Sequence, residues 1–423
     1  MTAHALHAAA TVQPEEVGLS SQRLKAMDHF FRQRYIEPGR LKGLSTLVWR
    51  RGATAHLSVM GEADAERRTP FAEDTILRIY SMTKPLTSVA LMMLVEEGLI
   101  ALDDPVSRYI PEWKHLGVYN GGYMDTFATT PVARPMQVVD LLRHTSGLTY
   151  GFQQRTNVDA AYRKLKIGAA NLANPSEKVE SLEEMVKTLA KVPLEFSPGD
   201  AWNYSVSTDV VGYLVQKVSG QKFEDFLKAR ILDPLGMVDT DFHVPAEKAH
   251  RFAACYARIP GGIVLQDDPT RSPYLAPPDF VSGGGGLVST LADYLKFCRM
   301  ILAGGTLDGR QYLSPKTIQL MGANHLPGGK DLTALSKSLF SEATYAGVGF
   351  GLGFATTLDP AAGLIPGTAG DLWWGGAAST FFWIDPKEEL IVILMTQLLP
   401  SAAYPIRREL RTLVYSAFTE ANG

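Results

Sequence analysis

Apolar positions along the chain change period several times, and the changes mark out the elements. From Leu19-Ser20-Ser21 to about Tyr35, the residues Leu24, Met27, Phe30 and Phe31 recur at helical spacing and predict a helix. Leu44 to Trp49 and Ala55 to Met60 are short strand-like runs on either side of Arg50-Arg51-Gly52. Glycine can take a positive φ there, so a β-hairpin is predicted. Thr83 to Leu99 places Leu86, Val89, Ala90, Met93 and Leu94 on one helical face, with Ser81 at its start and Gly98 near its end. A loop-rich stretch follows to about Phe280, with helices predicted at Met136–Leu142, Leu182–Leu189, Ser207–Val218 and Phe223–Ile231. In the last third, Thr290–Ala303 and Pro315–Met321 read as helices, and Gly347–Thr356, Ser379–Ile384 and Leu390–Met395 as strands. Ala402–Ala417 reads as a closing helix, and residues 1–13 as a loose leader. Strands near both ends with helices between them predict an α+β architecture. One sheet is assembled from the two terminal segments, and a helical lobe is inserted in the middle.

Length supports this division. The chain has 423 residues, more than one core of ordinary size holds, since single cores stop growing near roughly 250–300 residues. Two interlocked lobes, or one domain with a large insertion, are expected. Hydrophobic residues make up 46% and charged residues 20%, a globular mix. The net charge of −3 comes without a dense Lys/Arg run, so no nucleic-acid partner is expected. The most apolar run, Val89 to Val95, is too short to span a bilayer, and the N-terminus lacks the features of a secretory signal. No membrane partner and a cytoplasmic location are therefore expected. Cys255 and Cys298 have no second Cys or His at metal-ligand spacing, so no metal is expected. The two cysteines could pair, but two buried thiols in a reducing compartment is the simpler expectation.

Ser81-Met82-Thr83-Lys84 is the first chemically suggestive pattern. On a helix, positions i and i+3 share a face, so the Lys84 ammonium can reach the Ser81 hydroxyl. A helix start favours negative charge on the serine oxygen, and burial lowers the proton affinity of a lysine. Pro85 suits a first turn, where its missing N–H costs nothing. The pattern alone is weak, because Ser219-Gly220-Gln221-Lys222 repeats it. That copy sits where a helix ends at Gly220, and it is read as a decoy. No G-x-S-x-G elbow occurs, which argues against an α/β-hydrolase. Gly283 to Gly286 lacks the spacing of a phosphate loop and reads as a tight turn. Gly347, Gly349, Gly351 and Gly353 alternate within a predicted strand and suggest close packing.

Five blocks carry a family resemblance: Leu77 to Leu86 around Ser81 and Lys84, Leu141 to Leu148, Phe196 to Ser205, Ser282 to Ser289, and Trp374-Gly375-Gly376. In this order, across about Val17 to Phe418, they resemble class C β-lactamases, DD-peptidases and their esterase relatives. The likeness is nearest to the β-lactamase-like carboxylesterases of family VIII and to the statin side-chain acyltransferase. The resemblance implies a β-lactamase/transpeptidase-like fold over residues 14–418, with an α/β lobe at about 14–85 and 285–418 and a helical lobe at about 86–284.

The resemblance also implies Ser81 as nucleophile, with Lys84 and Tyr204 handling its proton, and an oxyanion hole made of the Ser81 and Ala377 amides. It implies no metal and no organic cofactor. Tyr204 is expected to act as a phenolate stabilised by Lys84⁺, although the sequence leaves open whether Lys84 or Tyr204 is the base. His144 falls in a block that is structural in this family. Trp374, Gly375, Gly376, Met82, Tyr150 and Phe152 are expected to line an apolar substrate pocket, where glycines let a substrate approach the backbone.

Two departures refine the expectation. Ser205 and Val206 follow Tyr204 where the family carries a Tyr-x-Asn, and Trp374-Gly375-Gly376 stands where β-lactamases carry Lys-Thr-Gly. The missing groups bind the amide and the carboxylate of β-lactams. A carboxylesterase acting on a small-molecule ester with a short to medium acyl chain is therefore expected. Acyl transfer to an alcohol is the alternative, then β-lactam or DD-peptide hydrolysis. A module acylated once and never turned over is the non-enzymatic alternative.

Overall fold

The computed structural model describes residues 12–123, 126–168, 181–337 and 345–422. Most of the expected leader falls on residues 1–11, outside the described residues. Helix α1 (Ser21–Phe31) leads into β1 (Gly43–Arg50), β2 (Ala53–Asp64) and β3 (Thr69–Pro70). The middle of the chain carries α2 (Thr83–Glu96), α3 (Ser207–Ser219) and α4 (Leu291–Leu302) among shorter helices. The last part supplies β4 (Val348–Phe350), β5 (Ala355–Thr357), β6 (Leu372–Gly375), β7 (Phe381–Asp385), β8 (Leu390–Thr396) and the closing helix α5 (Ile406–Ser416).

These eight strands form one antiparallel sheet in the order β4-β5-β6-β7-β8-β1-β2-β3. The two terminal segments meet at the β1–β8 pair, with Leu44 opposite Thr396 and Arg50 opposite Leu390. Side chains alternate faces along a strand, and both faces are buried here. Leu390, Val392 and Leu394 join Leu44, Val48 and Trp383 in a core covered by α1 and α5. Ile391, Ile393 and Met395 join Leu47 and Phe382 in the larger core that includes α2 and α4. The β1–β2 turn takes the left-handed conformation at both Arg51 (φ 48°) and Gly52 (φ 90°), which suits the twist of a two-residue hairpin. No helix among the described residues is long and apolar enough to cross a membrane.

Several elements depart from the pattern reading. Gly347–Thr356 is a hairpin, β4 and β5, and not one strand. Gly353 turns the chain at φ 94°, and Gly351 lies so close to the Met321 carbonyl that a Cβ would sit 2.0 Å from it. Ser379 at φ 70° still belongs to a turn, so β7 starts at Phe381. Pro405 caps the closing helix, which starts at Ile406 and not at Ala402. The Phe223 helix loosens into a π-turn at Lys228–Leu232. A hairpin of Cys255–Ile259 and Gly262–Asp267 was not anticipated. It pairs in parallel with Leu398–Leu399, so its stability comes from a segment far away in sequence. Cys255 and Cys298 are both free and buried.

Arg50 ties the sheet to both ends of the described chain. Its side chain is 0% exposed. It donates to the carbonyls of Val17, Gly18, Glu388 and Glu420 and pairs with the Glu388 carboxylate at 2.8 Å. Arg50→Met would take the counter-charge from the buried Glu388 carboxylate and one donor from each of four carbonyls. A loss of about 3–5 kcal/mol of unfolding free energy is expected from chemical denaturation, since breaking one side of a buried pair leaves the other uncompensated. A loss below 1 kcal/mol would contradict this account.

Candidate active site

The start of α2 determines where the expected nucleophile points. Tyr80 lies in left-handed backbone space at φ 43°, a costly conformation for a tyrosine. A 3₁₀ turn at Tyr80–Met82 then runs directly into α2. This sharp entry separates neighbouring side chains: Ser81 is partly exposed and lines a cleft, whereas Met82 is 0% exposed and lies in the core. The placement of Met82 in the pocket is therefore corrected. Its carbonyl instead accepts a hydrogen bond from Tyr294 at 2.9 Å.

One turn along, Lys84 is 2% exposed. Its Nζ donates to Ser81 Oγ at 3.2 Å and to the Gly284 carbonyl at 2.7 Å, and it lies 4.5 Å from the centre of the Tyr204 ring. Tyr204 comes from the loop before α3. Its phenol accepts from Trp374 Nε1 at 3.2 Å, and the Ser81 side chain is near enough to act on its ionisation. Trp202 stacks against this ring at 6.1 Å, and His144 packs on it at 4.9 Å. Lys84, from the same helical turn, and Tyr204, from far along the chain, thus converge on the Ser81 hydroxyl. The second S-x-x-K stays apart: Gly220 caps α3 at φ 70°, and Ser219 Oγ accepts only a local bond, from the Gln221 amide.

Burial dominates the electrostatics. Desolvation lowers Lys84 from 10.5 to about 7, with Asp209 pulling the other way. The same desolvation raises Tyr204, and Ser81 and Trp374 offset it only in part. This reverses the expected phenolate. In the resting site the phenol holds its proton, and Lys84 is the group poised to lose one. His144 is fully buried and held neutral by desolvation, with Nδ1 3.3 Å from Ser205 Oγ.

The cleft over Ser81 has a volume of about 500 Å³. Tyr150, Phe152, Tyr204, Trp374, Gly375, Gly376 and Ala377 all line it. Phe152 is 56% exposed and stacks on Tyr150 at 4.7 Å. Among the described residues, neither the Ser81 amide nor the Ala377 amide donates to a backbone carbonyl. The turn carrying Ala377 is held by Gly376 N to Thr380 O at 2.9 Å and by Arg407 Nη2, which donates to Gly376 O at 2.7 Å. The glycines here also serve protein packing. A Cβ on Gly376 would sit 2.5 Å from the Ile79 carbonyl, so only glycine lets this turn approach the Ser81 segment.

Sequence reasoning missed Asp209, Ser282 and Arg407. Arg407 also lines the cleft, and nothing in its helical surroundings marked it. Asp209 gave a faint signal, as an acid in the first turn of a helix that is otherwise apolar at Val206, Val210 and Val211.

The sequence profile of the Beta-lactamase family matches residues 28–416. Rv1367c, a protein of Mycobacterium tuberculosis, is 35% identical over 367 residues, covering 86% of this chain and 88% of its own length. Esterase EstB of Burkholderia gladioli is 31% identical over 437 aligned positions, covering 96% of this chain and 99% of its own. Among solved structures, EstCE1, a hydrolase with promiscuous acyltransferase activity, superposes with a TM-score of 0.78 at 25% identity. It covers 93% of this chain and 99% of its own.

Proposed function

This chain belongs to the beta-lactamase family and has its β-lactamase/transpeptidase-like fold, and on that premise we propose that it is a carboxylesterase working through an acyl-enzyme on Ser81. One observation carries the reading. The Ser81 hydroxyl accepts from Lys84 and lies within electrostatic reach of the Tyr204 phenol, at the edge of a cleft that can hold an ester.

The free amine of Lys84 takes the Ser81 proton as Oγ bonds to the ester carbonyl carbon. The carbonyl oxygen becomes an anion facing the Ser81 and Ala377 amides. Losing one such donor typically costs about 2.7–4 kcal/mol of barrier lowering. The C–O bond to the alcohol then breaks. Tyr204 donates its proton to the departing oxygen and recovers one from the Lys84 ammonium. Water repeats the sequence on the acyl-enzyme and releases the acid. Tyr150, Phe152 and Trp374 offer an apolar wall for a short to medium acyl chain. The missing Asn after Tyr204 and the missing Lys-Thr-Gly set β-lactam hydrolysis below ester hydrolysis.

Acyl transfer is a second reading. An alcohol replaces water in the last step, and the described activity of EstCE1 supports it. A panel of p-nitrophenyl esters, run with and without a primary alcohol, tests both. Acid alone marks the esterase, and a new ester marks the transferase. Intact-mass detection should find the acyl group on Ser81, and an adduct elsewhere would overturn the reading.

The pH dependence follows from Lys84. Its base form is required, and burial brings its pKa to about 7. Activity as kcat/KM should therefore rise with pH through about 7 and then level off. A rise centred near 10.5, the ordinary lysine value, would show that the amine is not desolvated in the working enzyme.

A further inference from the structure

The glycine block beginning at Ser282 has no part in the steps above, yet it touches the proposed base. It forms a strap between two helices. From α2, Thr87 Oγ1 donates to Gly283 O at 2.7 Å, Lys84 Nζ donates to Gly284 O at 2.7 Å, and Thr83 Oγ1 accepts from Leu287 N at 3.2 Å. From α3, Asp209 Oδ1 accepts from Ser282 Oγ at 2.5 Å and from Gly284 N at 2.9 Å. At Gly283 and Gly284 the strap has no room for side chains. A Cβ on Gly283 would lie 2.7 Å from Thr208 O, and one on Gly284 would lie 2.8 Å from Asp209 Oδ2. Gly284, through its N–H and its C=O on two successive peptide units, therefore joins a buried carboxylate on one side to a buried ammonium on the other.

We propose that Asp209, acting through Ser282 and Gly284, is a positioning residue that aims Lys84 at Ser81 and balances its charge. The proposal rests on Lys84 being the base. Burial disfavours both charges, and each group favours the ionised form of the other. The other titratable groups around Lys84 are neutral. Tyr204 and Tyr150 present their rings at 4.5 and 5.6 Å and hold their protons through burial, and His144 is held neutral. Arg407 acts on Tyr204. Among the described residues, Asp209 is the charged group that acts on Lys84.

Asp209→Asn in the full chain separates charge from scaffold, because the amide oxygen can still accept from both Gly284 N and Ser282 Oγ. Without the carboxylate the ammonium is less favoured, so the amine is freed at lower pH. The acidic limb of kcat/KM for p-nitrophenyl acetate should move down by about one pH unit, the usual size for losing an adjacent opposite charge. Asp209→Ala also cuts the strap. It should lower kcat at every pH by more than Asp209→Asn does, with KM changed less than kcat. If the alanine variant fails to fold, the asparagine variant still decides. An acidic limb unmoved in Asp209→Asn, with Lys84→Met inactive, would overturn this proposal alone, since a purely structural residue alters melting without shifting the limb. An active Lys84→Met would overturn the reading of Lys84 as base and this proposal with it.

Discussion

Ser81→Ala is expected to lower ester turnover by at least about 10⁴-fold in kcat, since removing a nucleophile disables every later step of a covalent mechanism. Folding should be little affected. The side chain is partly exposed, and its hydroxyl is hydrogen-bonded to Lys84. Lys84 keeps its second acceptor, the Gly284 carbonyl. Turnover of p-nitrophenyl butyrate measures the first effect, and thermal melting the second. A variant that retains a tenth of wild-type turnover, or still carries an acyl adduct by intact mass, would remove Ser81 from the mechanism.

The second large effect is expected at Lys84. Methionine fills a similar volume but cannot accept a proton, so Lys84→Met should cost about 10³- to 10⁴-fold in kcat, the upper range for general acid–base catalysis. It also leaves the Asp209 carboxylate buried without its balancing charge, so a lower melting temperature is expected as well. Tyr204→Phe should cost less, about 10²-fold, because water can protonate a departing alcohol in part. Its effect should be greatest for esters with poor leaving groups. If Tyr204→Phe proved far more damaging than Lys84→Met with an activated p-nitrophenyl ester, the phenol and not the amine would be the base.

Opposing consequences of one cause underlie this assignment. Burial disfavours an ammonium and a phenolate alike, so the same packing frees the Lys84 amine and keeps the Tyr204 proton in place. The sequence-based expectation of a phenolate weighed the attraction between the two groups and applied desolvation to the lysine but not to the phenol. Only the packed site reveals its size, because it depends on every ring placed around them: Tyr150, Trp202, Trp374 and His144 on Tyr204.

Local pattern by itself determined a good deal. The apolar faces of α2 and α3, the β1–β2 hairpin and the alternation within β8 were readable because each depends on residues a few positions apart. Ser81, Lys84 and Tyr204 were readable because they stand in blocks whose order resembles a family. The tertiary structure decided what depends on distant partners. It put Met82 in the core, since a 3₁₀ turn in place of a full helical start sends adjacent side chains to opposite sides. It folded Cys255–Asp267 into a hairpin against Leu398–Leu399 and split the Gly347–Thr356 run at Gly353. It also brought Asp209 and Arg407 to the site from helices whose own periodicity accounts only for their apolar neighbours. Periodicity records which face of an element avoids water. It carries no information on which carbonyl or carboxylate, hundreds of residues away, will complete a buried polar group.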